Sequence, residues 1–126
     1  MISYLDTNVA LWLAQGQLDR ISALAKKHVE QSSLLISPMV LLEMEYLYEI
    51  KRIVIPARDI HLKLKTEIAV RACDLPFPDI AEKALDEKWT RDPFDRMIVA
   101  HAKASGFSYL ISSDIDIQKH YPRTIW

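Results

Sequence analysis

Four carboxylates, Asp6, Glu43, Asp95 and Asp114, occupy comparable points along a chain of 126 residues. Asp6 closes the run Met1-Ile2-Ser3-Tyr4-Leu5, and Asp114 follows Phe107 to Ser113. Asp95 and Glu43 fall in the first and second turns of segments that Pro93 and Pro38 open as helices. Acids gathered at one place repel one another and raise their own pKa values unless a cation neutralises them. Oxygen ligands of this hardness suit Mg2+ or Mn2+ better than zinc. Such an ion can orient a phosphodiester, activate a water and stabilise the leaving oxygen without a protein nucleophile. Thr7, Asn8 and Ser112 carry groups able to hold that water or the carboxylates.

Each acid also has a purely structural role open to it. Asp92-x-x-Asp95 has the spacing of a capping box, with Asp where Glu is usual. Asp114 can cap a short helix after it, and Asp6 can form a local turn. Glu43 is the telling one: it interrupts the segment Met39 to Leu47, otherwise apolar except for Glu45, and a helix interior offers it no cap to make.

Other chemistries are poorly supplied. His28, His61, His101 and His120 form no pair spaced for zinc on one helix face, and a single cysteine, Cys73, builds neither a structural zinc site nor an internal disulfide. Cys73 reads as a small buried hydrophobe in a reducing cytoplasm, and His28 as a packing residue. A phosphoacceptor role for Asp6 lacks an Asp-x-Asp partner. The net charge of −1 excludes a protein that coats nucleic acid by charge alone, leaving Arg91 and Arg96 near the acidic motif, and Lys51-Arg52 at a helix end, as local cations. No apolar stretch approaches the roughly 20 residues of a membrane span, and the N-terminus has no basic region leading into a long apolar one.

To position the acids, the chain offers short strands alternating with helices. Residues 2–5, 34–36, 69–72, 107–111 and 123–126 read as strands. Helices are expected after Thr7 or Asn8, from about Asp19, from Pro38 to about Arg52, after Pro56, from Pro78, from Pro93 to a stop at Gly106, and over Asp114 to His120. With half its residues hydrophobic, the chain is expected to form one domain over residues 1–126, a three-layer α/β/α sandwich with a short central parallel sheet. Right-handed crossovers place helix N-termini beside strand C-termini, so the four acids should converge on the edge where such sheets bind ligands.

In order and spacing, Leu5-Asp6-Thr7-Asn8, Ser37-Pro38 leading into Glu43, Asp92-Pro93-Phe94-Asp95-Arg96, and Leu110-Ile111-Ser112-Ser113-Asp114 resemble the PIN-domain family, and within it the VapC-type toxins of bacterial toxin-antitoxin pairs. The resemblance covers essentially the whole chain. It implies a PIN-like fold, with Asp6, Glu43, Asp95 and Asp114 as catalytic and metal-binding acids of a Mg2+- or Mn2+-dependent endoribonuclease. It further implies a homodimer and inhibition by a small antitoxin protein encoded beside it. Ser112 stands where the family commonly has Thr, and the spare acids Asp92 and Asp116 leave other choices for the fourth position. The alternative is a catalytically silent PIN-like module that regulates with a DNA-binding partner; the intact acids count against it. For the antitoxin, helices at 38–52 and 57–67 offer surplus apolar groups, among them Tyr46, Leu47, Tyr48 and Ile50.

Overall fold

The computed structural model describes all residues, Met1–Trp126. Five short strands, β1 (Ile2–Leu5), β2 (Ser33–Ile36), β3 (Arg71–Ala72), β4 (Tyr109–Ile111) and β5 (Thr124–Ile125), form one sheet in the order β3-β2-β1-β4-β5, with every pairing parallel. Seven helices connect them: α1 (Thr7–Ala14), α2 (Ala23–Gln31), α3 (Pro38–Glu49), α4 (Ala57–Ile68), α5 (Phe77–Ala84), α6 (Pro93–Ala104) and α7 (Ile115–His120). From β1 the chain winds outward through β2 to β3, then crosses back to β4 and β5 on the other side. The topological switch point therefore lies between β1 and β4, and sheets of this kind bind ligands at the strand C-termini beside it.

Both sheet faces are covered, as a parallel sheet requires. Tyr4 and Leu110 are paired and share a face, and the Tyr4 ring meets His101 of α6 at 6.4 Å between centroids. Tyr109 lies on the opposite face, met edge-on by His28 of α2 at 5.0 Å. Tyr4, Leu5, Ile36, Ile98, Leu110 and Ile111 are fully buried; removal of an aliphatic side chain from water contributes roughly 1.5–3 kcal/mol each. A smaller cluster of Ile80, Ala84, Met97 and Ala100, joined by Met39, seals α5 and α3 against α6.

Several boundaries differ from the sequence expectation, each for a local reason. The helix expected from Asp19 is instead a 3-10 turn (Leu18–Arg20), an extended Ile21, and a helix begun at Ala23, because the Ser22 hydroxyl accepts from Ala25 N at 3.1 Å. The expected strand 69–72 shortens to Arg71–Ala72: Ala69 is left-handed at φ 56 and ends α4. Phe107 is also left-handed, at φ 53, directly after Gly106 at φ 71, so β4 starts at Tyr109 rather than Phe107. Helix α3 stops at Glu49, before a left-handed Lys51. The helix expected from Pro78 begins one residue earlier, and β5 covers only Thr124–Ile125 of the expected 123–126. The first helix is capped by Asp6, not by Thr7 or Asn8. Glu45, the other acid of the apolar α3 segment, accepts from Ala57 N and so caps α4 from a neighbouring helix. No helix is long and apolar enough to cross a membrane.

Candidate functional site

Asp6 emerges from β1 at the switch point. Its backbone N–H donates to Ile111 O at 3.0 Å, extending the sheet ladder and tying its position to β4. The side chain is almost entirely buried, with Oδ1 accepting from Thr7 N at 2.8 Å and Oδ2 from the Ser112 hydroxyl at 2.6 Å. Ser112 also accepts from Asp114 N at 3.1 Å, so one hydroxyl fixes two of the four acids. Asp114 is the N-cap of α7, its Oδ1 accepting from Ile117 N at 2.9 Å.

Glu43 enters from α3. The Thr7 hydroxyl donates to its Oε1, joining the start of α1 to the second turn of α3. Asp95 enters from the first turn of α6, and the capping box open to it does not form in full. Asp92 Oδ1 accepts from Phe94 N at 2.8 Å and Asp95 N at 3.3 Å, while the Asp92 backbone N–H is taken by the Thr90 hydroxyl at 3.1 Å. With Thr90 in the reciprocal role, the Asp95 carboxylate is released from capping. Arg96 is fixed by donation from Nε to Thr90 O at 2.9 Å, and Arg91 donates to Lys88 O. Lys51 and Arg52 lie beyond the far end of α3, roughly 12 Å along its axis from Glu43, which places them away from the acids.

Electrostatics shows that these groups share one neighbourhood. Burial, then the charges of Asp92, Asp6, Asp114 and Glu43, push the Asp95 carboxyl up to about 8. Burial also raises Glu43, against the Thr7 hydrogen bond and with help from Asp6 and Asp92. Asp6 is raised chiefly by burial, with Ser112 and Thr7 opposing and Asp114 and Asp92 reinforcing. As the side chains stand, no three His, Cys, Asp or Glu groups close around a single point at ligation distance. The acids are thus charge neighbours rather than a closed cage. The donor set, carboxylate and hydroxyl oxygens only, has the chemistry of a Mg2+ or Mn2+ site.

Among the residues singled out in sequence, Thr7 and Ser112 hold carboxylates, Asn8 is exposed, and Asp92 adds its charge to the site. Two features escaped sequence reading. Glu87, only 3% exposed, accepts from the Trp89 indole at 2.7 Å and pairs with Lys103, anchoring the loop that delivers Asp92 and Asp95. Its signal was absent because Lys103 lies far from it in sequence. Tyr46 and Phe94 form a ring pair between α3 and α6, the helices that carry Glu43 and Asp95; Tyr46 at i+3 from Glu43 was the available signal. Cys73 is buried as expected, with Tyr4 donating its hydroxyl proton to the sulfur.

The PIN-domain profile matches residues 3–122. The chain belongs to the PIN-domain family. The PIN fold extends to solved structures. A chain of the VapBC2 complex from Rickettsia felis, bound to a DNA fragment from their promoter, matches with a TM-score of 0.60 at 18% identity, covering 98% of this chain and 96% of that one. A chain of VapBC-1 from nontypeable Haemophilus influenzae matches with a TM-score of 0.61 at 22% identity, again covering 98% and 96%. Among curated proteins no match was found. The α/β architecture read from the strand and helix alternation, and the PIN-like fold that the resemblance implied, are therefore confirmed.

Proposed function

We propose that this PIN domain is a metal-dependent endoribonuclease, the toxin of a type II toxin-antitoxin pair, with Asp6, Glu43, Asp95 and Asp114 as its metal-binding and catalytic acids. The observation that carries the reading is the convergence of these carboxylates at the switch point, where burial and mutual charge raise three of them. Such a grouping is costly without a cation and well matched to one. Mg2+ commonly uses one or two protein carboxylates and retains several waters, so a looser arrangement than a closed three-ligand cage is compatible with it. When bound, the ion supplies an acidified water and charge stabilisation at the phosphate.

The chain's own residues do the rest. Ser112 and Thr7 hold Asp6 and Glu43 by hydrogen bonds that favour their ionised forms. Asp95, which burial and the neighbouring acids raise to about 8 in the absence of a cation, is the acid whose ionised form gains most from one. To Arg96, braced against Thr90, and to Arg91 we assign contact with backbone phosphates.

The partner half of the proposal rests on the α3–α4 surface and on the VapBC complexes to which both similar chains belong. A concavity of about 480 Å3 between α3 and α4, lined by none of the four acids, is formed by Leu41, Leu42, Glu45, Pro56, Ala57, Arg58, Asp59 and His61. Leu42 and Leu62 are 56% and 63% exposed. Tyr48 and Ile50 are exposed as well, Leu47 packs on the core, and the exposed Tyr46 lies outside the concavity, against Phe94 of α6. The occupant we propose is an amphipathic helix of a small antitoxin, with the toxin itself a homodimer in the cytoplasm.

The test is cleavage of single-stranded RNA by the purified protein in Mn2+ or Mg2+ and in chelator. Endonucleolytic products that vanish with chelator support the reading; equal cleavage in both conditions, or none in either, contradicts it. Co-expression of the small open reading frame beside the gene should relieve growth arrest and yield a copurifying complex. Failure of both, with cleavage intact, leaves a PIN nuclease outside toxin-antitoxin pairs.

A further inference from the structure

Helix α3 carries Tyr46 one turn beyond Glu43, and helix α6 carries Phe94 immediately before Asp95. The two rings meet at 6.4 Å between centroids with a 32° tilt. Phe94 is held from behind: its backbone N–H is fixed by Asp92, and its ring is half-buried. Tyr46 is 50% exposed. The core does not need this ring, since Val40 and Met44 are the buried residues of α3. An exposed aromatic face supported by a second ring therefore borders the two helices that deliver Glu43 and Asp95.

From this juxtaposition we propose that Tyr46, backed by Phe94, is the platform on which an unpaired base of the RNA substrate stacks while its phosphodiester is presented to the acids. The proposal rests on the ribonuclease reading and adds a substrate-positioning residue to it. An in-line attack needs the scissile phosphate held still, and carboxylates alone repel a phosphate. Stacking grips the neighbouring nucleotide through a surface that carries no charge, and it does so for any base, because every base has a π face. It also demands a single strand, since a duplex keeps its bases stacked inside the helix. A second copy of the chain is the weaker candidate for this face. Aromatic side chains bury roughly 150–250 Å2 each, so two rings fall short of the roughly 800 Å2 per partner typical of a stable interface.

The experiment measures binding of a single-stranded RNA decamer containing 2-aminopurine, in Mn2+, to full-length protein silenced by Asp95→Asn. Tyr46→Phe and Tyr46→Leu are each added to that background. Tyr46→Phe keeps the ring and should leave the Kd within about twofold. Tyr46→Leu keeps bulk and apolarity but removes the π face, and should weaken binding roughly 5- to 150-fold and abolish quenching of the 2-aminopurine. The duplex of the same sequence should bind equally to all three forms.

In otherwise unmutated protein, the same Tyr46→Leu change should raise KM more than it lowers kcat. Equal Kd and quenching for Tyr46→Leu and its parent, with cleavage by the unmutated protein intact, overturns the stacking proposal alone. A change of sedimentation from dimer to monomer on Tyr46→Leu also overturns it, by assigning the face to a second copy. Absence of RNA binding and cleavage in every form overturns both the platform and the ribonuclease reading.

Discussion

Replacing Asp95 by Asn should make the metal-free protein more stable, and increasingly so as pH rises. The Asp95 carboxyl is raised from 3.8 to about 8 by burial and by four neighbouring acids. A folded-state pKa above the unfolded value means that the protonated form stabilises the fold. That contribution is fully present below pH 3.8 and is lost as pH rises through about 8. The full shift corresponds to an upper limit of roughly 6 kcal/mol at about 1.4 kcal/mol per unit. Asp95 is partly open to solvent, and screening reduces the usable figure to about 2 kcal/mol. A first-turn carboxylate also gains about 0.5 kcal/mol from the helix N-terminus, which Asn gives up. Burial and repulsion together win by about 1.5 kcal/mol, equivalent to a Tm increase of about 6 °C for a domain of this size. Thermal unfolding followed by circular dichroism in chelator, at about pH 5 and about pH 8.5, measures the effect. The gap between Asp95→Asn and parent should be small at the lower pH and open at the higher. Equal gaps at both, or a variant less stable at the higher pH, would refute the claim that burial and neighbouring acids disfavour the Asp95 carboxylate.

Further outcomes follow from individual contacts. Ser112→Ala removes the donor to Asp6 and the acceptor of Asp114 N; urea unfolding should show a loss of about 2 kcal/mol together with slower RNA cleavage, and unchanged values in both would dismiss the hydroxyl as a brace. Glu87→Gln weakens the hold on Lys103 and Trp89. It should cost about 1–3 kcal/mol and shift tryptophan fluorescence, and a silent substitution would show that the loop is fixed by other means. Gly106→Ala meets open space but imposes a side chain at φ +71, so a loss of about 1 kcal/mol is expected in thermal unfolding; no loss at all would argue that the turn relaxes.

The fold was legible because the strands are apolar, parallel and separated by prolines and hydroxyl caps: Ser37-Pro38 and Asp92-Pro93 both open helices where the residue types demand it. What failed was local and backbone-driven. Ala69 and Phe107 take left-handed conformations that neither residue type signals, and Ser22 splits an apolar stripe that periodicity read as continuous. At the site, the convergence of Asp6, Asp95, Asp114 and Glu43 on one sheet edge followed from crossover handedness. The division of labour did not: Thr90 releases Asp95 from a capping box, and Ser112 serves two acids at once. Both depend on side-chain rotamers and pairings across the fold, which spacing along the chain does not encode. Glu45 is the same lesson in reverse, an acid one turn from none of its partners in sequence that caps α4.

The central claim, that these acids act together on a divalent cation, is tested most directly by Mn2+ titration followed by electron paramagnetic resonance, in the parent and in Asp6→Asn, Glu43→Gln, Asp95→Asn and Asp114→Asn, each confirmed folded by circular dichroism. The parent should take up Mn2+ saturably, and each variant should bind it at least tenfold more weakly, a loss of about 1.4 kcal/mol or more. Mn2+ uptake by all four variants with the affinity of the parent, or no saturable uptake by the parent, would contradict the claim.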